Sequence, residues 1–226
     1  MFDGIAARYD AVNRLLSLRR DQRWRAVTAR LVAAARPRRV LDIATGTGDL
    51  LLAVARADTA ADVAGIDIAG SMLRLVRSKA RRLGVADRVS FQVGDATNLP
   101  FADGSFEATT IAFGLRNVAD RHLALREMLR VLAPGGRALI LEFSLPAVPI
   151  LRSAYLVYFR HVLPLLGGII AGNISTYRYL NRTVERFAST DLVAMMLAAG
   201  FLPARRIALT FGVASVYVGY KRGAAA

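Results

Sequence analysis

The 226-residue chain contains no cysteine. That excludes disulfides, thiol nucleophiles and thiolate metal sites, and no metal site is expected. Lysine is almost missing as well: Lys79 and Lys221 are the only two. Acidic residues are scarce, 17 against 31 basic ones, so the formal net charge is +14 and nearly all of the cation is arginine. Such an excess points to nucleic acid, an anionic membrane or acidic substrates. Arginine- and alanine-heavy usage in a GC-rich genome accounts for it equally well. No apolar run is long enough to span a bilayer. The stretch 161–172 is about 12 residues against the roughly 20 required, and it carries Pro164 and a Gly167-Gly168 pair. The first residues lack the basic and apolar regions of a secretory signal, so a cytoplasmic location is expected.

A hydrophobic content of 54% excludes a disordered chain, and the length suits one domain, 1–226, with a substantial core. The reading is organised around residues 40–50. An apolar run from Val40 to Ile43 reads as a buried parallel strand. It ends in a turn containing Gly46 and Gly48, and a helical pattern follows. Glycine lets the backbone turn sharply and approach a ligand closely. The helix start offers unpaired N–H groups and a positive dipole end. By itself the turn is weak evidence, because the dinucleotide fingerprint needs a third glycine where this chain has Leu51.

The features that follow strengthen it. A second strand, 62–66, ends at Asp67, about 20 residues past the glycine turn, where an acid accepts from two ribose hydroxyls. A third, 89–93, leads to Asp95, placed to accept from an adenine amino group. A fourth, 106–113, delivers Arg116 and Asn117 to the same sheet edge, and a fifth covers 138–143. Intervening helices are expected from Asp21 to about residue 35, to about Arg56, over 71–83 with Leu83 inward, and after Asp120. Ser189 is expected to cap a last helix closed by Gly200, followed by a final hairpin. Residues 1–36 read as helices, with Ile5, Tyr9, Val12 and Leu16 on one stripe. The stretch 145–187 carries Tyr155, Tyr158, Phe159, Tyr177 and Tyr179 with several arginines and reads as a helical insertion, a lid or substrate wall. Strands alternating with helices give a doubly wound, mostly parallel sheet.

These motifs resemble the class I S-adenosylmethionine-dependent methyltransferases. The carriers are Asp42 through Asp49, Gly65-Ile-Asp67, Met72-Leu73 and Gly94-Asp-Ala96. More closely, the chain is similar to the quinone-biosynthesis C-methyltransferases, which act on demethylmenaquinol and 2-methoxy-benzoquinol. The specific segments are Phe113-Gly-Leu-Arg-Asn117 and Leu141-Glu-Phe-Ser144. An N-terminal segment with Tyr9, Asp10 and Asn13, the pair Tyr177 and Tyr179, and Gly219-Tyr-Lys221 add to them. The resemblance implies a Rossmann-like seven-stranded fold and S-adenosylmethionine as cofactor. Gly46, Thr47 and Gly48 then hold its methionine part, Asp67 the ribose, and Asp95 with Ala96 the adenine. Some members have a serine contact at the end of the fourth strand; here that position is Ala112. Arg19-Arg20-Asp21 and residues 181–187 also depart from the family pattern, which bears on substrate fit.

The implied reaction needs a nucleophilic ring carbon, which a hydroquinol supplies when its hydroxyl is deprotonated. Arg116, a permanent cation with a planar fork, matches a phenolate, and Asn117 adds a donor. A structural salt bridge is the alternative role for Arg116. Candidate bases are Arg116-polarised water, Asp49, Tyr9 and Glu142. The expected acceptor is a lipophilic polyprenyl quinol, with contact at a membrane surface. Methylation of another small aromatic molecule is the alternative. A nucleic-acid acceptor is disfavoured, since the chain lacks an Asn-Pro-Pro-Tyr-type motif, a cysteine nucleophile and an appended nucleic-acid module. A nicotinamide dehydrogenase is disfavoured by Leu51. The oligomeric state is not legible in the sequence.

Overall fold

The computed structural model describes residue 17 and residues 19–57, 60–162, 183, 184 and 186–223. Seven strands form one sheet: β1 (Arg39–Ile43), β2 (Asp62–Asp67), β3 (Val89–Val93), β4 (Phe106–Ala112), β5 (Leu132–Phe143), β6 (Ala204–Leu209) and β7 (Ala214–Tyr220). Their order is β3-β2-β1-β4-β5-β7-β6. The first five run parallel, and β7 runs antiparallel to both of its neighbours. The described helices are α1 (Arg20–Ala33), α2 (Asp49–Ala57), α3 (Gly70–Arg82), α4 (Arg121–Val131), α5 (Pro149–Val157) and α6 (Leu192–Ala198).

The central strands are apolar runs because both sheet faces are covered. Val40, Val63 and Leu139 pack on one face with Trp24, Leu51 and Val76. Leu41, Ile43 and Ile140 pack on the other with Leu125, Met128 and Phe201. Successive strand residues point to opposite faces, so one run serves two cores. The strand order reverses between β1 and β4, which opens a crevice at their carboxyl ends, the usual ligand position in open α/β sheets.

Several boundaries differ from the sequence expectation. Asp21 does not cap α1; the cap position is Arg19, at φ 61° with no side-chain cap. Asp21 lies in the first turn instead, buried and accepting from the Ser17 hydroxyl at 2.7 Å. The last helix is capped by Asp191, which accepts from the Ala194 N–H, and not by Ser189, whose hydroxyl donates to the Arg186 carbonyl. Leu83 is 40% exposed; it falls one residue past α3 at the C-cap, where the chain turns through Gly84 at φ 67°. Strand β5 begins at Leu132 rather than Ala138. Its Pro134-Gly-Gly136 segment still turns, with Gly135 at φ 77° and the pairing to β4 passing from Leu132 directly to Arg137; the bulge is tied down because Gly135 N–H donates to the Lys221 carbonyl and Lys221 N–H to the Gly136 carbonyl.

Of the 145–187 insertion, the described part comprises the entry to α5, α5 itself, a following π turn, Tyr158–Val162, and residues 183, 184, 186 and 187, of which Val184 and Phe187 are buried. Tyr177, Tyr179 and most of 161–172 lie outside the described residues, as do Ile5, Tyr9, Asp10, Val12, Asn13 and Leu16 of the expected first helix.

Candidate cofactor and acceptor site

A cavity of ≈ 320 Å³ opens at the switch point, walled by the loops that follow β1, β2, β3 and β4. That volume lies at the lower end of the range for small-molecule sites. Asp67, at the end of β2, joins two of these loops. Its carboxylate accepts from the Gly46 N–H at 2.7 Å and from the Ala69 N–H at 2.8 Å. An ionised carboxylate has about four lone-pair positions, so this one is fixed in orientation and still able to accept from a ligand. Gly46 is at φ 56°, and a side chain there would meet nothing within 4 Å, so this face of the loop is open.

The missing third glycine has a structural explanation. Leu51 is fully buried, and the room it needs comes from β2. A Cβ at Gly65 would come within 2.6 Å of Leu51 Cδ1. The small residue required for close helix–strand packing has moved from the helix to the strand. Gly48, at φ 83°, serves packing too, since a Cβ there would lie 2.4 Å from Val76 of α3. At the switch point itself β1 and β4 are each followed directly by a left-handed residue, Ala44 at φ 49° and Phe113 at φ 57°. Such conformations cost of order 1–3 kcal/mol and gather at ligand sites.

Asp95 and Ala96 line the same cavity. Asp95 accepts from the Thr97 N–H and hydroxyl, both at 2.8 Å. The loop beyond it is held by Arg130, which donates to the Leu99 and Phe101 carbonyls and to Glu127 and Asp103. The Arg130 guanidinium in turn holds the Glu127 carboxyl below its ordinary range. Ala112, in the family's serine position, is also on the wall. Under the loop lies Asp42, fully buried. Burial pushes its carboxyl up to about 7, against the Thr110 hydroxyl and the Arg25 charge, which pull it down. Thr110 donates to it at 2.6 Å.

On the acceptor side the sequence-expected residues separate. Asn117 lines the cavity, and Arg116 is not part of the lining. The Arg116 side chain is 2% exposed and pairs with the fully buried Glu142 at 2.9 Å. Its backbone N–H also faces Glu142, at 3.3 Å, and its guanidinium lies 5.5 Å from the Phe143 ring centre. Glu142, a candidate base, is therefore committed inside the protein. Asp49, another candidate, is on the wall and is held by Lys79 at 2.8 Å. Tyr9 lies outside the described residues.

Both lysines bind main-chain carbonyls: Lys79 that of Thr47 in the glycine loop, Lys221 those of Arg130 and Leu132 where α4 passes into β5. Sequence reasoning did not single out Lys79, Thr110 or the cavity-lining Arg25. For Lys79 a signal existed, one of two lysines among so many arginines, whereas Thr110 carries none, since Asp42 is 68 residues away, and nothing local to Arg25 shows that it reaches Phe113 and the cavity.

The strand order with its reversed β7, and the acid at the end of β2 gripping the glycine loop, are those of a Rossmann-like class I methyltransferase. A SAM-dependent methyltransferase from Thermotoga maritima, described as a possible histamine N-methyltransferase, superposes with TM-score 0.64 over 98% of both chains at 17% identity. An O-methyltransferase family protein from Burkholderia thailandensis gives TM-score 0.70 over 92% of this chain and 58% of its own, also at 17% identity. At that identity the likeness shows the fold. The chain belongs to the ubiE/COQ5 methyltransferase family, whose model matches residues 1–221. It is 51% identical over 220 residues to the demethylmenaquinone methyltransferase of Thermus thermophilus, covering 97% of this chain and 99% of that one. It is 44% identical over 223 residues to the ubiquinone/menaquinone biosynthesis C-methyltransferase UbiE of Geotalea daltonii, covering 98% of this chain and 94% of the relative.

Proposed function

We propose that the chain methylates a ring carbon of a polyprenyl quinol, demethylmenaquinol to menaquinol, with S-adenosylmethionine as methyl donor. The observation that carries this reading is the Asp67–Gly46 clasp at the mouth of the switch-point cavity, in a chain 51% identical to a demethylmenaquinone methyltransferase. The donor set fits the cofactor. Asp67 keeps acceptor capacity for ribose hydroxyls, Asp95 and Ala96 edge the adenine position, and the open face of Gly46 with Thr47 and Gly48 suits the methionine portion. When bound, S-adenosylmethionine supplies an electrophilic sulfonium methyl group.

The protein's own part is positioning and charge control. Asn117, on the wall, donates to the acceptor's oxygen and favours its deprotonated form. Arg116 acts through the turn it anchors: its pair with Glu142 holds the Gly114–Asn117 segment against β5 and so sets where Asn117 meets the acceptor. Tyr9 is retained as a candidate base from the segment outside the described residues, beside Asp49. Phe113 and Val118 make the wall between apolar.

A lipophilic acceptor also implies contact with a bilayer surface. No described helix is long and apolar enough to cross a membrane. Helix α5 instead exposes Ile150, Leu151 and Val157, and there is no Asp or Glu between Glu142 and Glu185. An apolar helix set in a purely cationic stretch suits the surface of an anionic bilayer.

The test is an assay with S-adenosylmethionine and demethylmenaquinol, 2-methoxy-benzoquinol, a simple catechol and RNA as competing acceptors. Methylation of a quinol ring carbon, with NAD neither bound nor used, is expected. Transfer to catechol oxygen or RNA in preference to either quinol would overturn the reading.

A further inference from the structure

Arg25 stands inside the cavity wall, on α1, a helix that carries none of the family's cofactor motifs. Its side chain is only 11% exposed, and its nearest carboxylate, Asp21, lies 3.9 Å from Nε. Asp21 is itself engaged by the Ser17 hydroxyl at 2.7 Å. Nε of Arg25 is fully buried and makes no hydrogen bond among the described residues. The guanidinium is held in place by Phe113, whose ring centre is 5.1 Å from its Cζ. The other acid close enough to act on it, Asp42, is kept largely protonated by burial below neutral pH. A cation taken out of water is costly unless an anion completes it, and here the protein supplies only a loose one.

The charges along the cavity are sorted. Asp67 and Asp95 stand where a nucleoside would place hydroxyl and amino groups. Arg25 and the amino end of α2 stand with Thr45 and Thr47 at the glycine loop, where the one carboxylate, Asp49, is paired with Lys79 at 2.8 Å. A helix amino end favours negative charge, and the planar fork of an arginine matches a carboxylate. The cavity therefore suits a ligand with a neutral, hydroxyl-bearing end and an oxyanion at the other.

We propose that Arg25 binds the α-carboxylate of the cofactor's amino-acid portion, closing the cavity at the glycine-loop end. The inference rests on the cofactor reading above. The same oxyanion chemistry has a second source, the phenolate of the acceptor, and the experiment separates the two.

Calorimetric titration uses two probes: S-adenosylhomocysteine, and its decarboxylated analogue S-adenosyl-3-thiopropylamine, which keeps the nucleoside, thioether and amine. Wild type should bind S-adenosylhomocysteine roughly 10–100-fold more tightly than the analogue, the usual worth of a hydrogen-bonded charge. Arg25→Met should erase that preference by weakening S-adenosylhomocysteine alone, and Arg25→Lys should restore part of it, since an ammonium keeps charge but not the fork. If Arg25→Met binds S-adenosylhomocysteine as wild type does, the assignment is wrong. A fall in turnover with the pH profile displaced upward would then give the residue to the phenolate. Equal weakening of both probes would reduce Arg25 to a support of the wall and overturn the proposal. If wild type binds neither probe, the cofactor reading itself fails.

Discussion

The nucleoside end of the cavity and its acceptor end are built by different means. The first is a set of short polar contacts made by main chain: Gly46 and Ala69 N–H groups on Asp67 and the Thr97 N–H on Asp95. The second rests on a buried ion pair among aromatic rings, Arg116 with Glu142 beside Phe113 and Phe143, whose ring centres are 4.6 Å apart. A cofactor of one fixed structure is served by main-chain N–H groups of fixed hydrogen-bond geometry gathered on exposed-side carboxylates. The acceptor wall is instead held from behind by a charge pair wholly enclosed in the protein. Damage at the first end should therefore appear in ligand affinity, and damage at the second in the stability of the fold.

The largest effect is expected at the buried pair. Arg116→Ala leaves Glu142 charged and fully enclosed, which costs about 3–5 kcal/mol. Urea unfolding should show it directly. The double variant Arg116→Met, Glu142→Leu should recover most of the loss, because replacing both charges removes the desolvation cost as well. If Arg116→Ala keeps wild-type stability and loses only turnover, the guanidinium acts on the acceptor and the contrast between the two ends collapses.

Next is the cofactor clasp. Asp67→Ala should weaken S-adenosylhomocysteine by about 1.5–3 kcal/mol, the worth of hydrogen bonds to a charged group. Calorimetry measures it, with unfolding followed in parallel. A variant that binds normally would show that the clasp only shapes the loop.

This division also explains what the sequence disclosed. Local features were legible: Gly46, Asp67 and Asp95 follow strands at readable spacing, and the αβ alternation predicted a mostly parallel sheet that the structure shows. The Asp120 cap was legible too, since its carboxylate accepts from the Leu123 N–H three residues on. Long-range pairing was not. Arg116 and Glu142 are 26 residues apart, and nothing local to Phe113-Gly-Leu-Arg-Asn117 shows that the arginine turns inward while Asn117 turns to the cavity. Leu51 seemed to break a fingerprint, and only the register of β2 reveals Gly65 as its counterpart. Arg25 was passed over because helical periodicity marks Trp24 and Val32 as core but assigns nothing to a charged neighbour.

A more gradual effect, spread over several pH units, separates the ends by pH. Asp42 has an ordinary value of 3.8 and a folded value of about 7, caused chiefly by burial. Between those values the folded chain holds a proton that the unfolded chain has released. Its contribution to stability is thus complete below about pH 4 and is lost as pH rises toward 7. Asp42→Asn keeps an oxygen for the Thr110 hydroxyl and has no proton to lose. Relative to that variant, wild type should lose up to about 1.4 kcal/mol per pH unit across the window. Urea midpoints of both proteins from pH 4 to 8 measure the difference. Parallel curves would mean that water reaches Asp42 and that the floor of the cavity is wet.

The smallest effect concerns the acceptor's route in. If α5 rests on an anionic bilayer, the protein should float with vesicles containing phosphatidylglycerol and leave them as salt rises, since screening shortens to about 10 Å at 0.1 M. Arg152 is exposed on α5 between Leu151 and Ser153. Arg152→Gln removes one cation near the surface and should lower partitioning by about 1 kcal/mol, roughly fivefold. Ile150→Ser removes apolar contact instead. Ile150 is 81% exposed, so its loss should leave folding unchanged and weaken vesicle binding at every salt concentration alike. The two variants thus separate attraction from insertion. Binding that ignores both salt and lipid charge would remove the electrostatic part of the argument and leave α5 as an apolar surface with some other partner.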